Sequence, residues 1–286
     1  MSSSQRVVVL GSVGMAGHMI LWHLSGLAGY EAIGLGRTQN ERFVDRQVDV
    51  ENLGQLADVL EAVRPTVVVN CVGVLNMAAD DDPGRAILLN SYLPHWLARM
   101  GDELGFRLIH LSTDCVFSGA AGGYTELSEP DGTTMYARTK ALGEVSSSPH
   151  LTFRTSIVGP ELKQNGTGLL EWFLRQKGPV PGYASVLWTG VTTLELAKAV
   201  HAAIEENLSG LFHLVPDTSV SKSDLLLEIA RAFDVHDIQV VSQGIPRCRR
   251  TLVCTRTDFS FHVHDYATML GELAKLIHDM PDLRWT

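Results

Sequence analysis

With 286 residues, 45% of them hydrophobic and 19% charged, the chain can form one large α/β domain, or a main domain with a smaller lobe, around a sizeable core. A net charge of −9 with no basic stripe argues against nucleic acid and anionic membrane surfaces as partners. No apolar run approaches membrane-spanning length, and M-S-S-S-Q-R leading into V-V-V-L-G is too short and too β-like for a signal peptide, so a cytoplasmic protein is expected.

In chain order, residues 6–10 (R-V-V-V-L) read as an apolar strand, followed by a helix from Gly14 to Leu24. A strand at 31–35, a helix at 52–63 and a strand at 66–71 follow. A long helix near 84–104 precedes a strand at 106–111, a helix bearing Tyr136 and Lys140, and a strand at 151–155. Strands that are apolar throughout and separated by helices predict a doubly wound, Rossmann-type parallel sheet covered on both faces. Beyond 157 the alternation loosens. G-P-V-P-G-Y at 178–183 reads as a turn-rich connection. Thr192-x-x-Glu195 opens a helix at 193–207; a strand at 210–215 and helices at 221–233 and 265–279 complete the chain. The division expected is a dinucleotide-binding domain over 1–157, with 186–215 packing back onto it, and a smaller interwoven C-terminal substrate lobe over 158–286.

Cys71, Cys115, Cys248 and Cys254 lack zinc-ligand spacing and read as structural or incidental thiols. His262 and His264 alternate without a third ligand and read as a surface strand or loop, so no metal is expected.

Gly11, Gly14 and Gly17, with Val13 and Met15 between them, follow the first strand and open the first helix. That context suits a pyrophosphate: a tight turn, close backbone approach and a helix N-terminus aimed at the anion. The second strand ends in Arg37 where an NAD site would carry an acid, and an Arg there suits a 2′-phosphate, favouring NADP with NAD as the alternative. Asp49-Val50 follows a short edge segment and is placed to flank an adenine. Ser112 and Thr113 stand at the C-terminal end of the fourth long strand, the ligand end of a doubly wound sheet; hydroxyls there can hydrogen-bond a substrate carbonyl. Tyr136 and Lys140 lie one helical turn apart on one face. Bringing a phenol from a pKa of about 10 to near neutrality takes roughly 4 kcal/mol. One positive charge about 4 Å away, at an effective dielectric near 20, supplies roughly that.

The order of glycine turn, S-T and Y-x-x-x-K resembles the extended short-chain dehydrogenase/reductases. Within them, S-T-D-C-V-F-S-G with Y-A-R-T-K-A-L-G-E is similar to the dTDP-4-dehydrorhamnose reductase group, as are R-P-T-V-V-V-N-C at 64–71, L-L-N at 88–90, R-T-S at 154–156 and S-K-x-D-L at 221–225. The resemblance covers roughly 1–235. It implies NADPH-dependent reduction of the C4 ketone of a nucleotide-linked 4-keto-6-deoxyhexose, on the way to a deoxysugar of a surface polysaccharide. Tyr136 would protonate the alkoxide, Lys140 would lower the phenol's pKa and touch the nicotinamide ribose, and Thr113 would orient the carbonyl. Cys71, Val72 and Gly73 would line the cofactor. The sugar-side candidates are Ser112, Thr113, Asp114, Ile157, Trp188 and Arg250, with Arg247, Arg249 and Lys222 as further cations for a diphosphate.

Several positions depart from the group. Ile157 follows R-T-S where a Trp is usual, which makes room for a UDP-linked 2-acetamido-2,6-dideoxy-4-hexulose beside the dTDP-linked substrate. Val191-Thr192 replaces a Pro-Thr pair, and Trp188 either restores a stacking surface or belongs to the core. His18 and Met19 occupy the turn where some members carry an acid for a metal, which counts against a magnesium-linked dimer; a homodimer as such stays open. The resemblance also allows an epimerase or dehydratase, disfavoured by Arg37 and by the lack of a Glu after Asp114. Finally, it allows a non-catalytic NADP-binding subunit like that of methionine adenosyltransferase.

Overall fold

The computed structural model describes residues 4–163, 166 and 168–284. The first part contains β1 (Gln5–Leu10), α1 (Met15–Ser25), β2 (Tyr30–Gly36), β3 (Arg46–Gln47), α2 (Leu53–Val63) and β4 (Val67–Asn70). It continues through α3 (Asn76–Asp81), α4 (Pro83–Ala86), α5 (Leu93–Leu104), β5 (Arg107–Thr113), α6 (Met135–Leu142) and β6 (Leu151–Thr155). The second part holds β7 (Ile157–Val158), α7 (Leu169–Leu174), β8 (Gly178–Tyr183), β9 (Val186–Trp188), β10 (Val191–Thr192), α8 (Thr193–Glu205) and β11 (Gly210–His213). Last come β12 (Val220–Ser221), α9 (Lys222–Ala232), β13 (Ile238–Gln243), β14 (Cys248–Arg249) and α10 (Tyr266–Asp279).

A seven-stranded sheet in the order β11-β6-β5-β4-β1-β2-β3 is parallel at every pairing. Both of its faces are covered, which is why its inner strands read as unbroken apolar runs. Val7 and Val9 enter one core with Met19 and Ile20 of α1 and Leu196 and Val200 of α8. Val8 and Leu10 enter the opposite core with Leu56 and Leu60 of α2 and Leu97 of α5. The strand order reverses between β1 and β4, so the segments after these two strands diverge and leave a crevice. Gly11 follows β1 and Cys71 follows β4, which puts both on its rim.

Two expectations are corrected. The predicted continuous helix at 84–104 begins at Pro83 and is π-helical over Ile87–Tyr92 before α5. Pro94 has no N–H, and in regular α geometry its ring would press on the Asn90 carbonyl; the wider π turn relieves that. Residues 178–183 are a strand and not a turn-rich connection, pairing in parallel with β13 from Gly178↔Ile238 to Tyr183↔Gln243. Pro179 and Pro181 are tolerated because this sheet has only two strands, so a missing donor can face the unpaired edge. Val180 and Gly182 point inward between them.

Candidate active site

At the crevice a cavity of about 420 Å³ joins the glycine turn to the Tyr136 helix. Val13, Gly14, Met15, Cys71, Val72 and Gly73 line one end. Ser112, Thr113, Asp114, Cys115, Tyr136, Lys140 and Ile157 line the other. Each group arrives for a local reason. Thr113 ends β5, and its hydroxyl accepts from the Cys115 N–H at 3.1 Å, turning the chain out of the sheet. Thr134 caps α6 by accepting from the Ala137 N–H at 3.1 Å, which fixes where Tyr136 starts.

The glycine turn is built for close approach. Gly11 has φ +74, and a Cβ there would lie 3.3 Å from the Cys71 carbonyl. A Cβ on Gly17 would lie 2.2 Å from the Gly11 carbonyl oxygen. Gly14 caps α1 without a side-chain hydrogen bond, so the first-turn N–H groups have no side-chain acceptor. These features fit a dinucleotide pyrophosphate. Gly17→Ala is expected to cost about 1–3 kcal/mol of stability and to weaken dinucleotide binding at least about tenfold. Thermal melting and a fluorescence titration check this; unchanged values for both would refute the role of the contact.

Arg37 lies off the cavity lining, highly exposed at the end of β2, 4.0 Å from Glu51, whose carboxylate Arg85 also holds at 2.7 Å. Asp49 and Val50 are half-buried beside it, Asp49 accepting from the Glu51 N–H at 3.1 Å. Sequence reasoning missed Glu51, because its proximity to Arg37 comes from the loop after β3.

Around the chemistry, Ser112 differs from its expected role. Its hydroxyl donates to Glu144 at 2.7 Å, and Glu144 is clamped by Arg154 Nε at 2.7 Å and Nη2 at 2.6 Å. The R-T-S and A-L-G-E segments thus form one buried ion pair, and Ser112 spends its proton on it. Thr113 is within hydrogen-bonding reach of the Tyr136 phenol and contacts Asp114 Oδ1 at 3.2 Å. The L-L-N segment proves to be glue: Asn90 accepts from the Val74 N–H and donates to the Val74 carbonyl and the Thr139 hydroxyl.

The electrostatics also differ from expectation. Burial, then the neighbouring Cys115 and Asp114, push the Tyr136 phenol above the usual tyrosine range, opposed by Thr113. The Lys140 amine donates to the Leu111 carbonyl at 2.6 Å and meets His110 Nε2 at 3.1 Å. Burial brings Lys140 down to about 8, with Glu144 and Cys71 opposing. Desolvation wins because protein atoms enclose most of both side chains.

Trp188 is buried in the core beside Tyr266, off the cavity lining, and Lys222 Nζ stands 4.5 Å over its ring. Burial holds Lys222 down to about 8, with Asp114 opposing. Arg249 and Arg250 donate to the backbone carbonyls of Ala120 and Phe117, tying β14 to that loop. Cys71, Cys115, Cys248 and Cys254 are free thiols. His264, expected to lack a third ligand, lies with Glu195 and Glu272, but the Lys198 ammonium already bonds Glu272 and lies 3.5 Å from Glu195. Among the described residues no helix is long and apolar enough to cross a membrane.

The family model for the RmlD substrate binding domain matches residues 5–257. The chain is 31% identical to a dTDP-4-dehydrorhamnose reductase of Shigella flexneri over 79% of this chain and 78% of that one. It is 28% identical to the methionine adenosyltransferase 2 subunit beta of Rattus norvegicus, over 49% of this chain and 42% of that one. Among solved structures, a dTDP-4-dehydrorhamnose reductase from Bacillus anthracis, in complex with NADP, superposes with a TM-score of 0.78 at 18% identity, covering 94% of this chain and 98% of that one.

Proposed function

The chain belongs to the RmlD substrate binding domain family, and from that premise we propose that it reduces the C4 ketone of a nucleotide-linked 4-keto-6-deoxyhexose with NADPH. The observation carrying this is the single cavity shared by the glycine turn, Thr113, Tyr136 and Lys140. NADPH, when bound, supplies the hydride. Thr113 orients the substrate carbonyl, and Tyr136, protonated at neutral pH as an ordinary phenol is, donates a proton to the oxygen that develops charge. Lys140, charged, would stabilise the tyrosinate left behind. In this reading residues 1–157 with 186–215 hold the cofactor and 158–286 shape the sugar side, in a cytoplasmic enzyme.

Ile157 on the cavity wall leaves space beside the sugar, which supports a UDP-linked 2-acetamido-2,6-dideoxy-4-hexulose alongside the dTDP-linked 4-keto sugar. NADPH oxidation with a panel of both, with product stereochemistry read by NMR, tests the reading. Turnover with at least one is expected; oxidation with none would favour the non-catalytic subunit reading.

Arg37 supports NADPH over NADH through the 2′-phosphate. Arg37→Ala is expected to lower the NADPH-to-NADH preference in kcat/KM by about tenfold, the loss of roughly one charge-assisted hydrogen bond. An unchanged ratio would remove Arg37 from the site.

A further inference from the structure

We propose that His110, which lies behind the cavity wall and not on its lining, is a positioning residue: through the chain Asn70–His110–Lys140 it favours the uncharged Lys140 amine, so that in mildly alkaline solution an anionic ligand enters the cavity together with a proton. The proton positions follow from one end of the chain. The Val72 N–H donates to Asn70 Oδ1 at 3.1 Å, which fixes the carboxamide orientation. Asn70 Nδ2 therefore faces His110 Nδ1, at 3.2 Å. An amide nitrogen only donates, so Nδ1 is the acceptor and the neutral imidazole carries its proton on Nε2. That Nε2–H faces Lys140 Nζ at 3.1 Å.

An ammonium has three donors and no lone pair. Facing Nε2–H, it would set donor against donor; a neutral amine accepts from His110 and still donates to the Leu111 carbonyl at 2.6 Å. Asn70, His110 and Lys140 are all buried, at 0%, 0% and 3% exposure, so water does not repair a mismatch. The titratable groups around the pair are Glu144 after α6, Cys71 after β4, and His95 of α5 acting on His110; Tyr136 lies one turn before Lys140 on α6. Glu144 and Cys71 favour the ammonium, against burial. Burial takes Lys140 to about 8, so one hydrogen bond shifts the balance between amine and ammonium in the range just above neutrality. Burial and the Lys140 charge keep His110 well below the usual imidazole range, so the ring does not take the proton itself. The cavity runs from the glycine turn to Lys140, so the charge of a dinucleotide polyanion bound along it favours the Lys140 ammonium, the form the Tyr136 chemistry proposed above calls for. The functional meaning of the chain rests on that reading.

The test reads protons and not turnover. Side-chain ¹⁵N-lysine NMR, with Lys140→Met assigning the signal, follows the Lys140 titration in the full chain. His110→Gln can turn a carbonyl oxygen toward Nζ and so accept from an ammonium; the midpoint is expected to rise by about one pH unit. Calorimetry of NADPH binding at about pH 8.5, above the Lys140 midpoint of about 8, in buffers of different ionisation enthalpy should show proton uptake. The uptake should shrink in His110→Gln and disappear in Lys140→Met. A midpoint unmoved by His110→Gln, or uptake that persists in Lys140→Met, overturns the proposal whatever sugars are reduced. Failure of the sugar panel with these results intact overturns the function proposed above and leaves the proton chain standing.

Discussion

Tyr136→Phe is expected to lower the rate of 4-keto sugar reduction by about 10²–10⁴-fold, the usual worth of a positioned general acid, while NADPH binding stays close to wild type. The substitution removes one oxygen and keeps the ring, which packs against the core containing Leu97 and Val145, so a folding defect would not account for the loss. A phenol with an ordinary pKa of about 10 is already in the donor form at neutral pH, and burial, with Cys115 and Asp114, holds it further from ionisation. Rapid-mixing kinetics and a binding titration on the same preparation separate the two effects. Near-normal turnover would remove Tyr136 from the chemistry and leave the cavity a binding site only.

Lys140→Met should also cost about 10²-fold or more in turnover, and it carries a stability signature with a definite sign. The folded-state pKa, about 8, lies below the unfolded value of 10.5. Below pH 8 both states hold the proton and the native state bears the full cost of burying it, about 3 kcal/mol. Between pH 8 and 10.5 the unfolded chain binds more protons than the native one, so wild-type stability climbs with pH relative to the variant. Denaturant melts across that range should show the methionine variant losing about 3 kcal/mol relative to wild type. A difference that stays flat would mean Lys140 is not buried as a titrating group.

The parallel sheet was legible because burial on both faces writes itself as runs such as V-V-V-L and V-V-V-N, and the glycines and Thr192 mark helix starts by local chemistry. Tyr136 and Lys140 were legible because an i, i+4 pair is a property of one helix. What stayed hidden is non-local. That His110 and the Leu111 carbonyl of β5 hold the Lys140 amine could not be read from the helix alone, since β5 meets α6 only in the fold. Glu144 and Arg154 both lay within recognised segments, but their pairing appears only once β6, paired with β5, brings Arg154 to the chain after α6. Trp188 was ambiguous by pattern and is settled by packing against Tyr266. Pro179 and Pro181 concealed β8, since turn chemistry and edge-strand chemistry use the same residue.

The most direct measurement is transfer of deuterium from NADPH labelled at C4 of the nicotinamide to a nucleotide-linked 4-keto-6-deoxy sugar, with the product read by NMR. The account predicts deuterium at C4 of the sugar, delivered to a single face. Cofactor consumed without deuterium at that carbon, or no reduction with any dTDP- or UDP-linked 4-keto sugar, would contradict it.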